Sequence, residues 1–205
     1  VFHLTLPDLT FISPISRVTS RSSRPALFLA LLVSVLCVGQ PGGPVGPDQA
    51  AAANLIAPAR MCPNLPANGG KPAMTKAKRS MTCMVNYARK KSGLKRYRVT
   101  GKLTWSAGRK SSDILRCGFS HNACGRQFDY WIRKSGYLGA GGWATGENIA
   151  WGSGRLGNVR SIFIAWMKSK GHREAILSPR FTDVGAGVVK GTFDGIAGAR
   201  IWVLH

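Results

Sequence analysis

The chain has 205 residues, 44% of them hydrophobic, with 29 Lys and Arg against 8 Asp and Glu and a formal charge of +21. That apolar fraction excludes a disordered polyelectrolyte, and the length suits one domain behind a leader. The charge attracts anionic polymers, but no basic run exceeds Arg89, Lys90 and Lys91 and no nucleic-acid-binding motif is present, which argues against a specific nucleic-acid reader.

Residues 1–53 read as a leader. Residues 1–20 fit neither a signal peptide nor the start of a domain, and Val18 is an alternative start. Arg21 and Arg24 then precede an apolar segment over 25–38 that is too short to span a bilayer as an ordinary helix. A Gly/Pro stretch follows, and the alanines at 50–53 offer cleavage sites, so the mature chain is expected to begin near Asn54, exported and without a transmembrane span. Four cysteines remain: Cys62, Cys83, Cys117 and Cys124. An even count behind an export signal predicts two disulfides, and the absence of C-x-x-C argues against zinc held by cysteine alone. Cys117 and Cys124 are local partners, which leaves Cys62 for Cys83.

Residues 54–73, rich in Pro, Ala, Asn and Gly, read as an exposed linker, and 74–205 as the domain. The first helix is predicted over 72–92 from the spacing of Met74, Ala77, Met81, Met84, Val85 and Ala88, with Gly93 as its cap. Asn86 and Arg89 have the default reading of a solvated face. Residues 96–101 read as a loop. A second helix is expected after Leu103, capped by Thr104, although Gly108 and Lys110 interrupt its pattern. Cys117 and Cys124 then bracket a loop carrying His121. A short aromatic helix follows Phe128, and Gly139 to Gly142 lead into a strand opened by Glu147. Val159, Ile162, Phe163 and Trp166 form the buried stripe of a helix capped by Asn158. A further turn and a half covers 172–177. Two strands close the chain, over 183–190 and 198–205, joined by a hairpin loop at 191–195. The glycines of the first admit close approach of another segment, and the continuous apolar run of the second predicts cover on both faces. The fold class that follows is α+β, an α-β-α sandwich on a small antiparallel sheet.

Five segments in order resemble the CAP superfamily, of the SCP-like secreted bacterial kind: Asn86 and Arg89 with Gly93 and Leu94; Phe119-Ser120-His121; Gly146-Glu147-Asn148-Ile149-Ala150; Trp166, Ser169 and the run from Gly171 to Leu177; and Val184 to Gly187 with the Trp202 strand. The resemblance implies an α-β-α fold and a cleft holding two histidines and two acids. Position by position these are His121, His172 and Glu147. The second acid has no counterpart, Ser169 standing nearest. Glu147 is one of only two glutamates, and among apolar strand neighbours it needs a cation, a donor or a metal.

Three readings of the cleft follow. His121, Glu147 and His172 match the ligand set of a three-residue zinc site, so Zn²⁺ is the expected metal. Alternatively Glu147 orients the imidazoles in a structural cluster, or a histidine serves as general base. The expected function is an extracellular or cell-envelope binding module for a metal or a small, lipid-like ligand. The alternatives are a secreted hydrolase of protease type and an adhesion domain that holds anionic cell-envelope polymers or lipid by charge. Whether it acts as an enzyme stays open.

Overall fold

The computed structural model describes residues 54–67 and 69–205. The leader, its apolar segment and the cleavage site lie outside the described residues. Helix α1, Lys71–Lys91, carries Pro72 in its first turn and three basic residues in its last, and both suit the ends of a helix. It buries Ala77, Met81, Met84, Val85 and Ala88 along one stripe. Gly93, at φ 72°, supplies the left-handed step that ends it.

The predicted loop at 96–101 contains a short strand, β1 (Arg98–Val99), paired in parallel with β3 (Asp183–Val184). That pairing turns the chain at Thr100, so helix α2 spans Gly101–Cys117 and Thr100, not Thr104, caps it by accepting from the Leu103 N–H. Short α3 (Tyr130–Lys134) packs beside α2. Strand β2 is Asn148–Gly152. Helices α4 (Val159–Lys168) and α5 (Lys170–Ile176) follow, then β4 (Ala186–Phe193) and β5 (Ile196–Leu204). Asn158 precedes α4 without a side-chain cap, its Oδ1 accepting from Arg200 instead. The hairpin is tighter than predicted, with its turn at Asp194 and Gly195.

The sheet order is β2-β5-β4, antiparallel throughout. Alternation assigns its two faces. Ala150, Val188, Trp202 and Leu204 pack with α1 and α4, while Ile149, Trp151, Ile201 and Val203 pack with α2. The sandwich is therefore α1/α4, sheet, α2. Gly185 and Gly187 make the second interface possible, because a Cβ at either would lie 2.1 to 2.2 Å from the α2 backbone.

Two expectations are corrected. Residues 54–67 are not a free linker: Ala57, Cys62 and Ala67 are buried in the α1/α4 core, and Cys62 is bonded to Cys83 on α1. Arg89 is not on a solvated face. It is buried with its guanidinium 3.5 Å over the Tyr97 ring, and it donates to the carbonyls of Lys95, Ile176 and Ser178. Asn86 brackets the Tyr97 backbone, accepting its N–H and donating to its C=O. The two residues thus fasten the chain after α1 to the end of α5, where it lines a cavity.

Candidate functional site

The site is built where two strands end. Asn148 is opposite Leu204 in the β2/β5 register, which brings Glu147, one residue before the strand, beside His205. Gly146 lets the Phe181 ring pack close to the backbone there, since a Cβ would stand 2.9 Å from that ring. His205 Nε2 lies 2.9 Å from Glu147 Oε2, and His121 Nδ1 lies 2.7 Å from Oε1. Lys110 is the third partner. Lys110 Nζ stands 4.0 Å from Oε1 and donates to the backbone carbonyl of His121. The Lys110 side chain is 0% exposed and that of Glu147 is 1% exposed. Ser106 Oγ bonds Nδ1 of His205 at 2.8 Å and completes the buried chain of contacts.

The His121 loop is anchored from both ends. Cys117 and Cys124 are bonded, and Cys124 takes a left-handed φ of 59° that a non-glycine residue adopts only when its surroundings impose it. Beneath the loop, buried Asp113 accepts from Arg116, Arg126 and Trp131 Nε1 at 2.8, 2.9 and 2.6 Å.

Burial, the largest influence on Glu147, pushes its pKa up. The hydrogen bonds from His121 and His205, with the charges of His205 and Lys110, outweigh it and hold the carboxyl below its ordinary value of 4.5. Burial holds Lys110 below its ordinary 10.5, against the opposing pull of Glu147 and Asp113. Tyr97 is pushed up to about 12, chiefly by burial and against the influence of Arg89.

Of the residues singled out in the sequence, His121 and Glu147 meet. His172 and Ser169 form a separate pair at the α4–α5 junction, with His172 Nδ1 2.7 Å from Ser169 Oγ, and the His172 carbonyl accepts from Asn148 Nδ2. The residues present do not fit the expected Zn²⁺ set of His121, Glu147 and His172. Both Glu147 oxygens serve imidazoles, His172 bonds Ser169, and among the described residues no three His, Cys, Asp or Glu side chains are grouped to hold a metal. Lys110 and His205 complete the cluster, and neither belongs to the three-residue set read from the sequence. Lys110 had a signal, since Leu103, Ser106, Ala107, Lys110 and Ile114 share one helical stripe and all are buried.

Glu147 and His205 are among the residues around a cavity of about 650 Å³, with their side chains 1% and 0% exposed. Its other walls are mainly apolar and aromatic, including Leu103, Ile132, Trp143, Phe181 and Leu204. Arg180 stands among its lining residues and is exposed. His121, Ser169 and His172 are outside this lining.

A model of the CAP, or cysteine-rich secretory protein, family matches residues 83–205. The protein YkwD of Bacillus subtilis is 37% identical over 110 residues, which is 52% of this chain and 40% of that protein, so the chain matches well under half of that relative's length. An outer surface protein of Borrelia burgdorferi superposes with a TM-score of 0.53 at 17% identity, over 64% of this chain and 91% of that one, and shares the fold. An extracellular protein of Bacillus anthracis containing an SCP domain gives 0.48 at 16% identity, over 66% of this chain and 43% of that one.

Proposed function

The chain belongs to the CAP family, and from that premise we propose that it is an exported binding module whose cavity takes a small amphipathic ligand, lipid-like in its apolar part. The observation that carries this is the 650 Å³ cavity, whose lining is mainly apolar with Thr145, Arg180 and Thr182 among it. Ligand sites commonly combine this volume with a few convergent polar groups. An apolar body would lie against Leu103, Ile132 and Phe181, and a polar head would meet the exposed Arg180 at the lining. Both disulfides accord with an oxidising, extracytoplasmic location. The charge of +21 suits anionic envelope polymers or lipid surfaces as larger partners. The test is titration of the protein with the fluorescent fatty acid cis-parinaric acid. Wild type should bind, and Thr145→Trp, which fills the lining, should weaken binding about tenfold. If the two bind alike, or wild type binds nothing, the cavity is not the ligand site.

Hydrolysis is the second reading, favoured by one observation. His121 has Nδ1 tied to Glu147 while its buried Nε2 has no partner among the described residues, an orientation that suits a general base for a group able to reach it. Casein hydrolysis that disappears in His121→Gln would move the function to this pair.

A further inference from the structure

A second surface stands outside the cavity, on the outward face of α2. Lys102, Trp105, Arg109 and Arg116 fall at helical spacing and are all exposed. α3 lies alongside with Tyr130, Trp131, Arg133 and Lys134. The rings and cations interleave. Trp105 and Trp131 meet edge to face at 5.7 Å, as do Tyr130 and Trp131 at 5.0 Å. The Arg109 guanidinium stands 4.8 Å from the centre of Trp131 and 5.9 Å from Trp105, and Arg126 stands 5.4 Å from both Tyr130 and Trp131. Between the two helices is a shallow pocket of about 290 Å³ lined by Gly101, Lys102, Trp105, Lys134 and Ser135.

Two features set this surface apart from the general basic charge. First, its two acids are already committed, Asp113 to Arg116 and Arg126 and Asp129 to Arg133, so Lys102, Arg109 and Lys134 are not matched by a neighbouring carboxylate in this cluster. Second, Trp105 is 47% exposed, although an indole is normally buried. A flat ring beside two ammonium groups is complementary to a pyranose ring bearing an acid group, and Lys102 Nζ keeps donors beyond the one it gives to the Gly136 carbonyl at 2.7 Å. The sugar face lies on the indole, and the acid meets the lysines.

We propose that the pocket between Trp105, Lys102 and Lys134 binds an acidic sugar unit of an anionic envelope glycan. The proposal rests on the reading of the chain as an exported partner of anionic polymers, and localises that partner to α2 and α3. Cation–π contacts from Arg109 and Arg126 hold the rings in place, so the platform exists before the ligand arrives.

The experiment uses polygalacturonate as the probe, with single-stranded DNA and polyphosphate as anions of other chemistry. Binding is measured at low and physiological salt. Trp105→Ala leaves the charge unchanged and should weaken polygalacturonate binding about tenfold, because stacked aromatic anchors carry a large share of binding energy. Lys102→Ala with Lys134→Ala should do the same. Lys76→Ala with Lys90→Ala removes equal charge from α1, across the sheet, and should change binding less than about twofold. Trp105→Gln, which keeps a long helix-compatible side chain at the exposed position, repeats the test should the alanine variant melt early. Equal loss in the two lysine pairs would overturn the localised site while leaving charge-driven binding intact. Tryptophan substitutions without effect would overturn it as well. Tighter binding of single-stranded DNA that depends on Trp105 would assign the surface to nucleic acid and refute the glycan.

Discussion

At the scale of single residues, the protein places the Glu147 carboxylate in the interior and surrounds it with donors. Removing an acceptor from such a cluster leaves Lys110 as a buried charge with no counter-ion, and broken buried pairs typically cost about 3–5 kcal/mol. Glu147→Gln is therefore expected to lower stability by about 3 kcal/mol at neutral pH. It should also change the pH dependence. Because the folded carboxyl titrates below 4.5, the unfolded chain binds the proton first. Glu147 thus contributes its full stabilisation above pH 4.5, and loses it as pH falls through the folded value. Urea denaturation at stepped pH should show a shallower acid loss in Glu147→Gln than in wild type. Parallel curves would mean that the carboxyl does not titrate as placed. Glu147 and His121 were legible in the sequence because a rare glutamate in an apolar strand, and a histidine between cysteines, each demand an explanation. His205 was not, because its contact depends on strand register, which pairing sets and composition does not. The His172 grouping failed for a related reason: a local bond to Ser169, three residues away, was available to it.

At the scale of elements, α2 carries opposite demands on its two sides. Its sheet side admits no atoms at Gly185 or Gly187, whereas its own Gly108 has open space where a Cβ would stand and no positive φ. Gly108→Ala should then stabilise the protein by about 0.5–1 kcal/mol through helix propensity. Gly187→Ala should cost about 3 kcal/mol or more, because helix and strand backbones would have to separate. Denaturation midpoints of the two variants check both signs. A neutral Gly187→Ala would mean that α2 can lift from the sheet. The elements themselves were readable from periodicity, and the close approach from the glycines of β4. The start of α2 was not, because β1 is two residues long and exists only through its pairing with β3, 85 residues away.

At the scale of the whole molecule, the N-terminal segment belongs to the fold although it precedes the family match. Ala57 and Ala67 are in the core, Arg160 donates to the Ala57 carbonyl, and Cys62 is fastened to α1. Composition misread it, because proline-rich sequence without periodicity looks the same whether a cross-link seats it or not. Replacing Cys62 and Cys83 by Ser should cost about 3 kcal/mol through the lost cross-link, and release the segment from α1. A melting temperature within about 2 °C of the parent would show the segment to be peripheral.

The sheet order has a consequence for how the chain comes into being. The middle strand, β5, is the last described element in sequence, and β2 and β4 pair with it but not with each other. A polypeptide emerging N-terminus first, from a ribosome or a translocation channel, holds both outer strands while the slot between them is vacant. Until residue 196 onward is released, Trp202 cannot enter the α1/α4 side, Ile201 cannot enter the α2 side, and Glu147 has no His205. The two cores close in one event, once β5 is released.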